Sequence, residues 1–171
     1  MYQAGRLLGG GGFGQVFSGE NICNHQNIAM KISSNSLQKE NLVLKQLREE
    51  NGFPKIYDYF TKNSHDVIIM ERLGCSLQYY QKQYKSFSLK TVLQIADQML
   101  SRIQHLHLKG FIHGDIKPSN ILLGTNSNSN VFYLIDFGLA TLNYNTTISL
   151  EKPFMLSSDN ECEQTYMKSF D

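Results

Sequence analysis

Two segments decide the fold: His113-Gly114-Asp115-Ile116-Lys117-Pro118-Ser119-Asn120 and, sixteen residues after Asn120, Asp136-Phe137-Gly138. The first places an acid, a base and an amide in a loop between two β-prone runs, 111–112 and 121–123. The second directly follows the apolar run 131–135, and a carboxylate at a strand end beside glycine suits a divalent cation that carries phosphates. A polar turn would explain the first segment alone. The two together favour a metal and phosphate site.

A glycine-rich segment lies near the N-terminus. The run Gly9-Gly10-Gly11-Gly12-Phe13-Gly14-Gln15-Val16 fits G-x-G-x-x-G-x-V between two predicted strands. Glycine lets backbone amides approach phosphates closely because no Cβ stands in the way. A flexible turn is an equally good interpretation of four glycines in a row. Since a strand and not a helix follows, a dinucleotide-binding fingerprint is disfavoured.

Alternating apolar residues and turn residues predict a β-rich first half with one helix. A helix is expected from Ser36 to about Glu50, with Ser36 as its cap and Gly52 as its stop signal. The strands are expected at 6–8, 15–18, 27–32, 56–60 and 67–71, with turns at 9–12 and 21–26.

A long helix opens the second half of the chain. It is expected to begin at Ser88 and to end at Gly110. Short strands should follow at 111–112, 121–123 and 131–135, around a polar turn at 125–130. The apolar face of the long helix should contain Val92, Ile95, Ala96, Met99, Ile103 and Leu106.

Lys31 and Glu40 are predicted to pair. Lys31 ends the apolar run Ile28-Ala29-Met30, where an outward-facing lysine is the simpler interpretation of that residue alone. Glu40, however, shares the inward stripe of the first helix with Leu37, Leu44 and Leu47. A carboxylate on an apolar face requires a partner, and a buried pair could hold a phosphate-binding cation in place.

The composition excludes several classes of protein. The 171 residues carry 16 basic and 15 acidic side chains, a net charge of +1, which argues for neither nucleic acid nor membrane as a partner. Cys23, Cys75 and Cys162 form no C-x-x-C pair, so a disulfide scaffold or zinc site is disfavoured. No signal peptide and no apolar run of about 20 residues is recognisable. We expect an intracellular protein, in the cytoplasm or the nucleus.

Taken in order, these segments resemble a eukaryotic protein kinase. Within that family, Met70-Glu71-Arg72-Leu73-Gly74 and the segments 87–92 and 96–99 are similar to the casein kinase I group, and His113-Gly114-Asp115 makes the vaccinia-related branch the second choice. The resemblance implies an α+β, bilobal kinase-like fold with a β-rich N-lobe and an incomplete helical C-lobe. The N-lobe, five strands and one helix, would be 1–73, the start of the C-lobe 74–140, and a divergent or weakly ordered tail 141–171.

The resemblance implies ATP and Mg²⁺ as cofactors and protein Ser/Thr hydroxyls as substrates. Asp115 would accept or orient the substrate proton, and Lys117 would neutralise charge on the transferring phosphoryl group. Asn120 and Asp136 would hold magnesium. Lys31, paired with Glu40, would bind the phosphates. Val16, Ala29 and Leu122 would pack on the faces of the adenine, Met70 would close the rear of its pocket, and backbone groups of Glu71 and Leu73 would meet its edge. The other residues implied at the nucleotide are Leu8, Gly9, Gly11, Gly12, Phe13 and Gly14.

Two features depart from the family pattern. Gly114 stands where most kinases carry an arginine that pairs with a phosphate on the activation segment, so activation by that route is expected to be absent. After Ala140 no substrate-platform motif is recognisable, so we expect a chain truncated after Asp136-Phe137-Gly138, with an exposed apolar face on the long helix that could drive self-association. Lys117-Pro118 is similar to serine/threonine kinases. The alternatives are a catalytically impaired module that binds nucleotide or protein, and a non-functional gene fragment.

Overall fold

The computed structural model describes residues 1–143 of the chain. Its first half is a five-stranded antiparallel sheet in the order β1-β2-β3-β5-β4. Every neighbouring pair is antiparallel, and β3 lies at the centre between β2 and β5. The strands are β1 (Tyr2–Gly11), β2 (Gly14–Asn21), β3 (Gln26–Ser33), β4 (Ile56–Lys62) and β5 (His65–Glu71). All five predicted strands are therefore present, each longer than predicted.

The two faces of this sheet have different chemistry because successive side chains of a strand point to opposite sides. One face is an apolar cluster of Ile28, Met30, Val67 and Ile69, with Tyr2, Ile32 and Phe60 packed against it. The opposite face carries Ala29 and Lys31, which alternate with those residues along β3. A lysine in the middle of the sheet is thereby directed to the side where the first helix lies.

The described part of the chain contains three α-helices: α1 (Gln38–Gln46) lies between β3 and β4, and α2 (Leu77–Tyr84) and α3 (Leu89–Leu108) follow β5. Ser76 and Ser88 cap α2 and α3, since their side chains accept hydrogen bonds from the backbone amides of Tyr79 and Thr91. Helix α2 was not predicted, because its apolar residues lie among glutamines and lysines and give no regular stripe.

The remaining elements are short. Strand β6 (Phe111–Ile112) pairs with β9 (Thr141–Leu142), and β7 (Ile121–Leu123) pairs with β8 (Phe132–Leu134). Two short 3-10 helices, Pro118–Asn120 and Asn126–Asn128, lie just before β7 and between β7 and β8. The predicted loop 113–120 therefore connects β6 to β7.

One apolar core joins the two halves. It contains residues from α1 and the following turn, from α2 and α3, from β6 to β8 and from the segment after β8: Val43, Leu44, Leu47, Phe53, Leu77, Met99, Leu106, Phe111, Ile121, Phe132, Leu134, Phe137 and Ala140. The backbone amide of Leu134 also donates to the carbonyl of Gly52 at 2.9 Å. This seam fixes the position of α1 relative to the loops that follow β6 and β8.

The structure corrects two boundaries. Helix α1 ends at Gln46 rather than near Glu50, because the amide of Leu47 is shared between the carbonyls of Val43 and Leu44 and the chain turns to bury Leu47. The glycine turn predicted at 9–12 is narrower: β1 continues to Gly11, which pairs with Gly14, so the turn is formed by residues 12–13.

The apolar face predicted for α3 is only partly buried. Met99 and Leu106 are buried, whereas Val92 is 46% exposed. A second apolar stripe, Leu89, Leu93 and Leu100, is 60–74% exposed. None of the described helices is long and apolar enough to cross a membrane. The predicted tail 141–171 lies mostly outside the described residues, which reach only β9 and Asn143.

Candidate active site

Lys31 links the sheet to α1 and to the segment after β8. Its Nζ donates to Glu40 Oε2 at 2.6 Å and to Asp136 Oδ1 at 2.9 Å. Lys31 and Glu40 are both buried, at 5% and 3% exposure. The predicted pair is present, and the structure adds Asp136 as a third member.

The charges of this cluster are coupled. Burial disfavours the ammonium of Lys31, but Glu40 and Asp136 outweigh that effect, and the net result raises the pKa of Lys31. Burial raises the pKa of Glu40, an effect that Lys31 partly offsets. Lys31 is therefore held as a cation at neutral pH, with its charge directed at two carboxylates.

The Asp136-Phe137-Gly138 segment is anchored on both sides. The backbone of Phe137 is one of the groups that act to lower the pKa of Glu40, against the larger effect of burial. The Phe137 ring is completely buried, with its centroid 4.9 Å from the His113 ring and 6.0 Å from the ring of Phe53. Asp136 adopts φ +66°, an uncommon backbone conformation for a residue with a side chain and one concentrated at functional sites.

Asp115 is held by the other two polar residues of its loop. Asn120 Nδ2 donates to the Asp115 backbone carbonyl at 2.9 Å and to its Oδ2 at 3.0 Å. Lys117 Nζ lies 2.6 Å from the same Oδ2. The hydrogen bond from Lys117 is the largest of the influences that lower the pKa of Asp115, so this carboxyl is ionised at neutral pH.

His113 is a structural centre of this loop. It is 1% exposed, its Nδ1 accepts from the Asp115 amide at 3.2 Å, and its Nε2 lies 3.0 Å from the carbonyl of Ile135. This pattern assigns the proton to Nε2, and burial lowers the pKa of His113, so the ring is neutral. The neutral ring thus holds Asp115 and the residue before Asp136 together.

Ile135 connects the two clusters. Its carbonyl binds His113, and its amide donates to the carbonyl of Asn120 at 3.0 Å. The Lys31 cluster and the Asp115 cluster are therefore neighbours across one short stretch of backbone. The structure brings together all six charged or amide residues predicted for the chemistry: Lys31, Glu40, Asp115, Lys117, Asn120 and Asp136.

The glycine-rich hairpin reaches the same place. The ring of Phe13, at its tip, lies against Gly138: a Cβ added to Gly138 would be 2.9 Å from the ring. Gly14 follows with φ +116°, and a Cβ there would be 2.5 Å from the carbonyl oxygen of Ile32. Gly9, Gly11 and Gly12 have no atoms within 4 Å of an added Cβ, so space beside the hairpin backbone is open.

The predicted apolar residues lie along one face of the sheet. Val16 pairs with Lys31 across β2 and β3, and Ala29 pairs with Met70 across β3 and β5, so all four side chains are on the same face. Leu8 is half-buried in β1, at an irregularity in its pairing with β2.

The segment after β5 is bonded to β7. The amide of Gly74 donates to the Leu123 carbonyl at 2.8 Å, and that of Leu123 donates to the Cys75 carbonyl at 3.1 Å. Leu73 is buried beside this contact, and Leu122 lies in the strand that makes it. The Glu71 amide, in contrast, donates to the Lys55 carbonyl at 2.8 Å.

The family model described as protein kinase domain matches residues 2–167. The chain belongs to the protein kinase family. Its fold agrees: a five-stranded antiparallel N-lobe sheet is followed by helices in an α+β, bilobal arrangement. The match also continues past Gly138 to residues beyond the described part of the chain.

Protein kinases transfer phosphate from ATP with the help of a divalent metal, and the polar residues of this kinase fit such a metal. Asp136 and Asn120 offer a carboxylate and an amide oxygen, the hard donors that Mg²⁺ prefers. Asn120 uses its nitrogen toward Asp115, which turns its oxygen to the other side. Among residues 1–143 there is no cluster of three or more His, Cys, Asp or Glu. The two oxygen ligands from Asp136 and Asn120 suit a magnesium ion whose other ligands are phosphates and water.

Sequence reasoning missed two parts of this kinase site. His113 was predicted to lie in the loop but was given no role. The available signal was a histidine two residues before Asp115, directly after a β-prone run. Sequence reasoning also missed Phe53, whose contact with Phe137 depends on the turn at Gly52, where φ is +83°. Both residues position the motif residues rather than carry the chemistry.

Proposed function

We propose that this protein is a serine/threonine protein kinase of the casein kinase I type, which transfers the γ-phosphate of ATP to hydroxyl groups of proteins. The observation that carries the proposal is the geometry around Ile135, where the Lys31–Glu40–Asp136 cluster and the Asp115–Asn120–Lys117 cluster meet. In-line phosphoryl transfer requires a cation and a metal-binding carboxylate at the phosphates, here Lys31 and Asp136. It also requires a carboxylate that can accept the substrate proton, here Asp115.

Asp115 is the proposed base. Its carboxylate is ionised, and Asn120 holds the residue through one hydrogen bond to its backbone carbonyl and one to its carboxylate oxygen Oδ2. A substrate hydroxyl that donates to the second carboxylate oxygen would be oriented for attack on the γ-phosphorus of ATP. Its proton would pass to Asp115 as the new oxygen–phosphorus bond forms and the bond from the γ-phosphorus to the leaving ADP oxygen breaks.

Lys117 is the proposed stabiliser of charge. Half of its side chain is exposed, so it can leave Asp115 Oδ2 and approach the equatorial oxygens of the transferring group. The neighbouring Pro118 begins the 3-10 helix that carries Asn120, which keeps Lys117 and Asn120 on the same short loop. The Lys117-Pro118 pair supports serine and threonine as substrates, through its similarity to kinases of that class.

Lys31, Glu40, Asn120 and Asp136 form the proposed phosphate and metal side. Lys31 would exchange its bond with Asp136 for phosphate oxygens while Glu40 holds the ammonium in position. Asn120 and Asp136 would supply oxygen ligands to magnesium. Magnesium held there would supply positive charge that offsets the charge of the phosphates.

The adenine is proposed to lie on the sheet face that carries Val16 and Ala29, with Leu122 on its other side and Met70 at the rear. The backbone carbonyl of Glu71 and the backbone of Leu73 would meet its edge. Leu8 and the glycines of the hairpin would cover the ribose and phosphates. We assign residues 1–73 to the N-lobe and 74–140 to the start of the C-lobe.

The casein kinase I type is favoured by Met70-Glu71-Arg72-Leu73-Gly74 and by the segments 87–92 and 96–99; the vaccinia-related branch is the alternative placement. Gly114 supports independence from a phosphate on the activation segment. The backbone of Gly114 favours glycine, because its φ is +77° and an added Cβ would lie 2.7 Å from the Leu139 carbonyl oxygen. Position 114 therefore has no arginine side chain that could pair with such a phosphate.

Self-association through α3 is also part of the proposal. Leu89, Leu93 and Leu100 recur at helical spacing and are 60–74% exposed. A second copy presents the same stripe, so a two-fold pairing would cover both.

The specificity is tested with an acidic protein substrate, ATP and Mg²⁺, followed by identification of the phosphorylated amino acid. Phosphoserine and phosphothreonine are expected. Phosphotyrosine as the main product would refute serine/threonine specificity. Nucleotide binding without transfer would favour the catalytically impaired module instead.

A further inference from the structure

Asp66 lies where the sheet meets the start of α1. It is near the beginning of β5 and pairs with Ser33 of β3 on one side and with Thr61 of β4 on the other. Strand β3 ends at Ser33, and α1 begins five residues later at Gln38. The connection that delivers Glu40 to Lys31 therefore starts beside Asp66.

The N-cap residue of α1 supplies no side-chain cap, and the predicted cap, Ser36, lies one position before it. The N-cap position is Leu37, whose side chain has no hydrogen-bonding atom. Asp66 supplies the missing acceptor: its Oδ2 accepts from the Leu37 backbone amide at 2.9 Å. Next to it, the Ser36 Oγ accepts from the amide of Gln38 at 3.2 Å. The first turn of α1 is thus bound to a strand 29 residues away in sequence.

Asp66 is itself held in place by β4. The hydroxyl of Tyr59 donates to Oδ2 at 2.8 Å, and the hydroxyl of Thr61 donates to Oδ1 at 2.8 Å. Despite partial burial, these hydrogen bonds, beginning with that from Leu37, lower the pKa of Asp66, so it is a carboxylate at neutral pH. A negative charge at the N-terminus of a helix is also favoured by the helix dipole.

We propose that Asp66 is a positioning residue, which fixes the first turn of α1 so that Glu40 reaches Lys31. Glu40 is one turn beyond Leu37, and its carboxylate must lie within hydrogen-bond distance of Lys31 Nζ. A short helix of nine residues gains little order from its own backbone, so its position depends on such external contacts. This inference rests on the proposed kinase function for its effect on activity, but not for its effect on α1.

The test compares Asp66→Ala with two matched variants. Thr61→Val removes a hydrogen bond to the other oxygen of Asp66 and leaves the Leu37 bond intact. Asp66→Asn keeps an oxygen that can accept from the Leu37 amide. Thus Thr61→Val controls for general destabilisation of the sheet, and Asp66→Asn should restore most of what Asp66→Ala loses.

The first readout is hydrogen exchange at the amides of α1 in the nucleotide-free protein. Asp66→Ala should speed exchange in residues 38–44 while exchange in β3 stays unchanged, and Thr61→Val should do neither. Equal protection of α1 in the wild type and Asp66→Ala would overturn the inference. Hydrogen exchange tests the role of Asp66 at α1 even if the wild type transfers no phosphate. Absence of transfer would refute the proposed kinase function but not the role of Asp66.

The second readout is a double-mutant cycle on kcat/KM with Glu40→Gln. Asp66→Ala should lower kcat/KM about fivefold in the wild-type background, the size expected for loss of one helix cap. In the Glu40→Gln background the same change should have almost no effect, because the residue through which it acts is already disabled. Equal losses in both backgrounds would show that Asp66 acts independently of Glu40 and would overturn the proposed role.

Discussion

Lys31 Nζ lies 2.6 Å from Glu40 Oε2, with both side chains buried. This contact joins the central strand of the sheet to α1, and the additional bond of Lys31 to Asp136 extends it to the segment after β8. Three different elements of the chain thus meet at one ammonium group, and one of them is 105 residues away from Lys31. The stability of the fold and the chemistry of the site depend on the same cluster.

Glu40→Gln should destabilise the fold and weaken nucleotide binding. The change leaves a buried ammonium with Asp136 as its remaining carboxylate partner, so we expect a loss of about 2–3 kcal/mol, below the roughly 3–5 kcal/mol for a buried pair broken outright. Urea denaturation measures the loss. Glu49→Gln, an exposed residue paired with Arg48, is the control and should stay within about 0.5 kcal/mol of wild type. Equal stability of the two variants would contradict this prediction.

Gly114→Ala should destabilise the protein more than Gly110→Ala. Both glycines have positive φ, +77° and +80°, so alanine is strained at either position by about 1–2 kcal/mol. Only at Gly114 would the new Cβ meet a backbone atom, the Leu139 carbonyl oxygen at 2.7 Å, whereas nothing lies within 4 Å at Gly110. Thermal unfolding of the two variants separates the clash from the strain. A smaller loss for Gly114→Ala would show that the backbone of Leu139 moves freely.

Stability should fall as the pH falls below about 6.5, in part because of His113. Burial lowers the pKa of His113 from 6.5, so between the two values the unfolded chain binds a proton that the folded chain does not. Unfolding is therefore favoured as the pH decreases through that window. The lowered pKa values of Asp66 and Asp115 act below about pH 3.8 and do not overlap with it. His113→Gln should flatten the pH dependence of stability just below pH 6.5. An unchanged slope in that variant would show that other groups cause the pH dependence.

Leu93→Asp should abolish self-association if the stripe on α3 forms the contact. Leu93 is 60% exposed, so the carboxylate can be accommodated without unfolding the helix. Sedimentation velocity over a range of concentrations measures the effect. Ile22→Asp, an exposed apolar residue in the β2–β3 turn, is the control and should leave the association unchanged. A wild-type chain that stays monomeric throughout would contradict the proposed dimer.

Much of the fold was predictable because its signals are local. Glycines marked the hairpin, alternation marked the strands, and Glu40 on an apolar stripe required the partner that Lys31 provides. The elements that were missed depend on contacts that the sequence does not display. Helix α2 is capped by Ser76 but has no apolar stripe, and α1 stops at Gln46 because the chain turns to bury Leu47.

The site was predictable in its residues but not in its connections. Motif spacing indicated Asp115, Asn120 and Asp136, yet nothing in the spacing shows that His113 and Ile135 join them. The second partner of Lys31 could not be predicted from the sequence either, because Asp136 is 105 residues away. The role of Asp66 could not be predicted from the sequence, because Asp66 acts on the start of a helix that lies 29 residues earlier in the chain.

Transfer of labelled phosphate from ATP to an acidic protein, measured side by side for the wild type and Asp115→Asn, tests the central claim most directly. Asparagine keeps the shape of the side chain but cannot accept the substrate proton, and loss of a positioned base lowers the rate roughly 10²–10⁴-fold. Nucleotide affinity should be retained, since Asp115 lies outside the Lys31 cluster. We predict transfer by the wild type and a loss of this size in the variant. Equal incorporation by both proteins would contradict the account.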